Sequence, residues 1–283
     1  MGGAICGSIS ASRRSPLPAA KAFDTGRGQV LPDLPAYESG NAAMPHRRPL
    51  LELIRSDLRA AIENDPAARG PWAIAEIILT YPGFHAITLH RLTYRIHRLG
   101  IPILPRLLAH LARWLTGIEI HPAARIGGGF FIDHGMGVVI GETAVIGENC
   151  TLFHQVTLGG TGKETGKRHP TLRDNVVVGA GAKILGNITI GEGSYVGSNS
   201  VVLADVPGNC TVVGIPGRIV RCGGEKLTPA KALDHIHLPD PVRDRFLELE
   251  KRLQDLEDEQ AGREKSPTVR EKQSAAPVPR ART

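Results

Sequence analysis

Aliphatic residues recur at every sixth position through the second half of the chain: Ile140, Ile146, Leu152 and Leu158, then Val178, Ile184, Ile190, Val196 and Val202. A small or branched residue stands four positions after most of them, at Ala144, Cys150 and Val156 in the first run and at Ala182, Ile188, Ser194, Ser200 and Val206 in the second. Ile120, Ile126, Ile132 and Val138 extend this companion row upstream. A period of six matches neither the 3.6 of a helix nor the 2 of a strand. It is the period of the hexapeptide β-helix, where each repeat is one short strand and a turn. Three repeats make a triangular coil, and stacked coils bury a column of aliphatic side chains. The register breaks between Leu158 and Val178, where twenty residues replace the eighteen of a coil. The break holds the polar stretch Gly159 to Pro170, which a solenoid must extrude as a loop, and such loops carry function.

Upstream the pattern is helical. Leu50, Leu51, Ile54, Leu58, Ala61 and Ile62 share a face, and Asp65-Pro66 ends that run. A second helix is expected from Trp72 to Leu79, stopped by Pro82-Gly83, and a third from about Phe84 to Leu99, stopped by Gly100. Residues 1–44 are rich in Gly, Ala, Ser and Pro without periodicity and read as a disordered extension. Near the end, Val242, Phe246, Leu249, Leu253 and Leu256 are spaced 4, 3, 4, 3. That is an a/d seam, with Arg245 and Arg252 at g and Glu250 and Glu257 at e. The seam fits either a bundle between chains or a helix laid back on its own β-helix. From about Gly262 no pattern remains.

Composition agrees with a repetitive core: aromatics are 4% and glycines number 33, so branched residues must fill the interior. The net charge of +6 owes much to chain-end residues such as Arg13, Arg14, Arg280 and Arg282. No basic run is interleaved with aromatics, so no nucleic-acid partner is expected. Of the four cysteines, Cys6, Cys150, Cys210 and Cys222, none forms a CxxC pair; they suggest neither a disulfide framework nor a zinc knuckle, and point to the cytoplasm. Cys150 falls on an inward small position and reads as core. No stretch is long and apolar enough to span a membrane, and Pro16 and Pro18 interrupt any secretion signal after Arg13-Arg14.

Certain segments are more specific. Glu119-Ile120-His121-Pro122-Ala123-Ala124, Ile132-Asp133-His134-Gly135-Met136-Gly137 through Thr143, and Gly159-Gly160-Thr161-Gly162-Lys163 through Arg168-His169-Pro170 are similar to bacterial serine acetyltransferases. So are Gly179 to Asn187, Asn64-Asp65-Pro66-Ala67 and Pro82-Gly83-Phe84-His85-Ala86. The resemblance covers roughly 46–221. It implies a left-handed parallel β-helix of hexapeptide repeats over 118–221; with the helical pattern of an N-terminal domain (45–117) and the seam of a C-terminal helix followed by a disordered tail (222–283), the chain reads as α+β. The handedness comes from the resemblance, since the period does not fix it.

The resemblance implies acetyl transfer from acetyl-CoA to the hydroxyl of L-serine. Chemistry asks independently for a histidine, because a serine hydroxyl needs a base of near-neutral pKa as it attacks a thioester. By correspondence His134 is that base and Glu119 the carboxylate that orients it, fifteen residues earlier and close to one coil away. Asp65, Asp133, Arg168 and His169 match the serine-binding residues, with Arg168 for the carboxylate and the acids for the ammonium. For CoA the matching positions are Gly160, Thr161, Gly162, Ala180, Lys183 and Ser198, with Arg218 and Arg221 placed to meet phosphates. His85, His90 and His97 read as structural; His121 and His154 stay open.

The resemblance further implies a homotrimer, or a dimer of trimers, with no metal. Such proteins often dock on cysteine synthase through a terminal isoleucine, whereas this chain ends Arg280-Ala281-Arg282-Thr283, which weighs against that partner. Alternative readings are another hexapeptide O-acetyltransferase acting on sugars or xenobiotics, and a γ-type carbonic anhydrase binding zinc through three histidines. A scaffold without chemistry is argued against by the intact Glu119, His134 and glycine loop.

Overall fold

The computed structural model describes residues 48–162, 165–223 and 241–264. The 1–44 extension, the tail beyond Glu264 and the terminal segment bearing on cysteine synthase lie outside the described residues, as do Lys163 and Glu164.

Among the described residues four helices come first: α1 (Leu50–Asn64), α2 (Ala73–Thr80), α3 (Pro82–Arg98) and α4 (Leu104–Thr116). The first three fall where their apolar faces predict, while α4 emerges from a stretch read only as generally helical. α1 buries Leu53, Asp57, Ala60 and Ala61, one face at helical spacing. It stops before Pro66, and the Asp65 carboxylate accepts the Ala67 N–H at 2.7 Å. α3 opens with Pro82, whose missing N–H costs nothing in a first turn. Gly83 follows because the helix docks on strand backbone there: a Cβ would lie 2.1 Å from the Ile132 carbonyl oxygen. α4 ends at Gly117, in the left-handed conformation at φ +71°.

The helices are fastened to the solenoid by one buried ion pair. Asp57 and Arg91 have side chains 1% and 3% exposed and are bonded twice, at 3.0 and 3.1 Å. Arg91 also donates to the carbonyls of Ile126 and Gly127, and Asp57 accepts the Phe130 N–H at 3.0 Å. The pair therefore stitches α1 and α3 to the first coil, with every strong donor and acceptor satisfied. Ala60, Ala61 and Ile77 complete the seam against Phe131.

Among the described residues fifteen strands follow, most of two residues: β1 (Glu119–Ile120), β2 (Arg125–Ile126), β3 (Phe131–Ile132), β4 (Val139–Ile140), β5 (Val145–Ile146), β6 (Thr151–Leu152), β7 (Thr157–Gly159), β8 (Thr171–Leu172), β9 (Val177–Val178), β10 (Lys183–Leu185), β11 (Thr189–Ile190), β12 (Tyr195–Val196), β13 (Val201–Val202), β14 (Cys210–Val213) and β15 (Arg218–Cys222). They form three parallel sheets, ordered β1-β4-β7-β10-β13, β2-β5-β8-β11 and β3-β6-β9-β12-β14, with β15 added antiparallel to β14. This is the left-handed β-helix, and its aliphatic column is sealed: Ile140, Leu158, Ile184 and Val202 are each at most 1% exposed.

Two details of register differ from the sequence reading. Ile120, Ile126 and Ile132 pair with Ile140, Ile146 and Leu152, so they belong to the strand row and not to the companion row. The reason is a two-residue insertion: Ile132 and Ile140 are eight apart, and the turn between them holds Asp133 and His134. Second, the register resumes at Leu172, one repeat before Val178, since Leu172 pairs with both Ile146 and Ile190. Leu158 to Leu172 spans fourteen residues in place of six, so the solenoid extrudes eight.

Cys150 is buried as expected. The other expectation for the cysteines fails: Cys210 and Cys222 are disulfide-bonded, because the chain reverses after Val213 and the antiparallel register sets them directly opposite, Cα to Cα 4.1 Å. The last helix, α5, runs Pro241–Glu264, and no described side chain from 245 to 260 is buried. Among the described residues no helix is long and apolar enough to cross a membrane.

Candidate active site

Each triangular coil has three corners, and two of them hold the candidate residues. At the corner leading from the third sheet to the first, the inserted turn puts His134 in the left-handed region at φ +57°, with a side chain 76% exposed. Asp133, half-buried beside it, has Oδ1 4.0 Å from His134 Nε2. Burial pushes the Asp133 carboxyl up and the adjacent His134 pulls it back, while Asp65 adds a like charge that pushes it further up. Asp65 also accepts from the Tyr81 hydroxyl; burial first, then that carboxylate, pushes Tyr81 well above its ordinary value. His154, from the next turn down the stack, meets His134 edge to face with ring centroids 5.8 Å apart. Its Nδ1 is buried without a hydrogen-bond partner among the described residues. Asp65, Asp133, His134, His154 and Tyr81 thus form one acidic, imidazole-bearing cluster.

Glu119 begins β1 close by, yet its carboxylate is taken by Arg113 at 2.9 Å, from the last turn of α4. No hydrogen bond or ion pair joins Glu119 to His134 in the single chain.

At the next corner, from the first sheet to the second, the extruded loop returns through Lys167, Arg168 and His169. The His169 ring lies against Gly141, where a Cβ would fall 1.9 Å from the ring, so only glycine seats it. Thr143 organises the turn. Its hydroxyl accepts the N–H groups of Arg168 at 3.0 Å and His169 at 3.1 Å and lies 2.9 Å from His169 Nδ1. The Thr143 N–H donates to the same Nδ1 at 3.2 Å. Nδ1 is therefore an acceptor, and the ring proton resides on Nε2. Burial, then the Arg168 and Lys167 charges, push His169 down and keep it neutral. The Lys167 ammonium donates to the carbonyls of Thr143, His169 and Pro170, pinning the loop base, and burial brings its pKa down to about 8. The Arg168 guanidinium pairs with Glu142 at 2.6 Å. His121 backs this corner: its Nδ1 accepts the Ala123 N–H at 3.1 Å, and burial brings it down to about 4.

The sequence-predicted residues therefore fall into two groups. Asp65, Asp133 and His134 meet at one corner; Arg168 and His169 meet at the next. The width of the first sheet lies between, about 15 Å for five extended residues. The cofactor candidates divide likewise. Gly160, Thr161 and Gly162 are exposed on the loop at the His169 corner. Ala180 and Ser198 line turns at the His134 corner, with backbone packed so closely that a Cβ on Gly179 would lie 2.7 Å from the Ser198 nitrogen. Lys183 spends its ammonium on the Gln155 and Gly181 carbonyls of that corner. Arg218 and Arg221 are exposed on β15. Among the described residues no three His, Cys, Asp or Glu side chains are grouped to hold a metal ion.

Thr143, Glu142, Lys167, Tyr81 and Arg113 were not singled out from the sequence. Their roles depend on which corner a loop folds over; Glu142, Thr143 and Lys167 lay in segments already marked, while Tyr81 and Arg113 lay outside them.

A family model described as "Bacterial transferase hexapeptide (six repeats)" matches residues 169–204. The serine acetyltransferase of Synechococcus elongatus is 53% identical over 213 residues, 75% of this chain and 85% of that protein. That of Bacillus subtilis is 53% identical over 73% of this chain and 93% of its own length. Among solved structures, a soybean serine acetyltransferase complexed with serine is 50% identical, with a TM-score of 0.58 over 60% of this chain and 69% of that one. The enzyme of Vibrio cholerae gives 41% identity and a TM-score of 0.63 over 66% and 71%.

Proposed function

The chain belongs to the serine acetyltransferase family, and we propose that it carries acetyl from acetyl-CoA to the hydroxyl of L-serine with His134 as the base, giving O-acetylserine for cysteine biosynthesis. The observation that carries this reading is the complementarity of the two corners to an amino-acid zwitterion. Asp65 and Asp133 suit the ammonium, while Arg168 and the Nε2–H of His169 suit the carboxylate. In the reaction His134 takes the hydroxyl proton as the serine oxygen attacks the thioester carbonyl. The C–S bond breaks, and the CoA sulfur leaves with the proton that His134 returns. Glu119 orients the imidazole and steadies its cationic form. Its present partner Arg113 is half exposed, and such pairs contribute at most about 1 kcal/mol, so the carboxylate is free to exchange. Arg168 exchanges Glu142 for the substrate carboxylate in the same way.

A sheet's width separates the acids from the cations in one chain, far more than a serine molecule spans. We therefore place the site between chains: the His134 corner of one faces the His169 corner of its neighbour in a homotrimer, itself able to pair into a dimer of trimers. The pantetheine arm lies along the same cleft, over Gly160–Gly162 of one chain and Ala180 and Ser198 of the other, with Arg218 toward the phosphates. Residues 48–117 form the helical domain of this enzyme and 118–221 its catalytic β-helix. Thiol release from acetyl-CoA across a panel of hydroxyl acceptors tests the reading. Serine should exceed sugars by orders of magnitude, and His134→Ala should lower kcat about 10²–10⁴-fold with the assembly intact. Near-normal turnover in that variant would end the mechanism.

A further inference from the structure

We propose that α5 is one strand of a parallel three-stranded coiled coil, a second point of union between chains that the acetyl-transfer site does not require. Three observations carry the inference. The apolar seam is wholly unpartnered in the single chain: Phe246, Leu249, Leu253 and Leu256 are 62%, 49%, 59% and 59% exposed. This removes the competing reading, in which the helix lies back on its own β-helix. Second, an isolated helix draws little stability from propensity alone and needs its apolar face packed. Over residues 245–260 α5 offers such a face at a and d spacing and nowhere else, Leu247 excepted.

Third, the charges choose the partner and its direction. Arg245 and Arg252 occupy g, and Glu250 and Glu257 the e positions five residues on. In parallel, in-register helices each g faces the e of the next heptad on the neighbour, so both arginines meet glutamates. In antiparallel helices g faces g and e faces e, setting arginine against arginine and glutamate against glutamate. The pattern therefore favours identical chains pointing the same way and disfavours the reverse. In the single chain Arg245 settles instead for Glu248 on its own helix, an exposed pair at 2.6 Å. The number of strands rests on the trimer proposed above; the parallel pairing does not.

The test uses the full chain with Cys6→Ser, so that an added cysteine is the thiol read. Leu249→Cys places thiols at a d position, where parallel helices bring identical residues to disulfide distance. Lys251→Cys at the outward f position is the control. Under mild oxidation Leu249→Cys should yield a cross-linked pair far faster than the control, with a ceiling of about two thirds of the chains, since three thiols form one bond. Arg245→Glu with Arg252→Glu should slow the cross-link at low salt, and adding Glu250→Arg with Glu257→Arg should restore it. Equal rates for Leu249→Cys and Lys251→Cys overturn the coil, and a native mass of three chains in that sample would leave the trimer standing. Cross-linking that runs to completion overturns the third strand and the trimer with it. Indifference of the cross-link to charge reversal overturns the ionic choice of direction.

Discussion

Thr143 fixes the protonation of His169. Its backbone N–H, 3.2 Å from Nδ1, obliges that nitrogen to accept, and its hydroxyl sits 2.9 Å from the same atom. The imidazole is left with one proton, on Nε2, the ring edge that lies against Gly141, and that N–H is the donor a substrate carboxylate would need. The same hydroxyl accepts the N–H groups of Arg168 and His169, so one oxygen sets both the orientation of the ring and the path of the backbone that carries it.

Removing that oxygen while keeping the shape should be costly. Thr143→Val leaves two part-buried N–H groups without an acceptor, and kcat/KM for serine should fall roughly tenfold or more. The KM for acetyl-CoA should change little, and Thr143→Ser should recover most of the loss. Steady-state kinetics with each substrate varied in turn checks this; a loss confined to acetyl-CoA would assign the turn to the cofactor.

A site shared between neighbours predicts complementation. His134→Ala and Arg168→Ala are each expected to be nearly inactive. When the two chains are unfolded together in equal amounts and refolded, every mixed trimer gains one cleft with both corners intact, and activity should return to about a quarter of the natural enzyme's. No recovery, with mixed trimers shown by native mass, would place the whole site within one chain.

The Asp57–Arg91 pair should behave as an anchor and not as a source of net stability. Asp57→Ala strands a buried guanidinium and should destabilise the chain by about 3–5 kcal/mol, whereas Asp57→Leu combined with Arg91→Met should cost less than the single change. Urea unfolding of the two variants beside the natural protein measures the difference.

Acid should weaken the fold before the carboxylates titrate. His90 is buried in α3 and pushed down to about 3 by burial and then by Arg91, against an unfolded value of 6.5. Below that unfolded value the unfolded chain binds a proton that the folded chain refuses. Stability is therefore complete above 6.5 and falls as pH drops, by about 1.4 kcal/mol per unit for one such group. His121, brought down to about 4, acts in the same direction. His90→Phe should flatten the urea midpoint between pH 6.5 and about 5; an unchanged slope would assign the effect to other groups.

The solenoid could be read from the chain because its interior tolerates only branched aliphatics at a fixed step, and Ile184, Ile190, Val196 and Val202 satisfy that rule without exception. The register error at Ile120–Ile132 arose from the same rule. Ile132 and Val138 are six apart, yet the turn carrying His134 holds two additional residues, and the next residue of the strand row is Ile140. His134, Arg168 and His169 were found through their neighbours in sequence. What periodicity could not supply was the division of these residues between two corners, since that depends on where each turn falls around a coil. Thr143 and Glu142 were hidden for the same reason. The Cys210–Cys222 bond escaped because it needs the chain to reverse after Val213, against the direction of every strand before it.

That reversal bears on how the protein behaves in a crowded solution. A stack of parallel coils is an open-ended object, and each terminal coil displays backbone groups on which another stack could grow, as fibrils do. Here the first coil lies under α1 and α3, and the third sheet's last parallel strand is occupied by β15, running the opposite way and bolted by a disulfide. An incoming coil therefore meets a strand of the wrong polarity and a covalent clasp. At that edge the third sheet is closed to further parallel strands, so growth by stacking is opposed there.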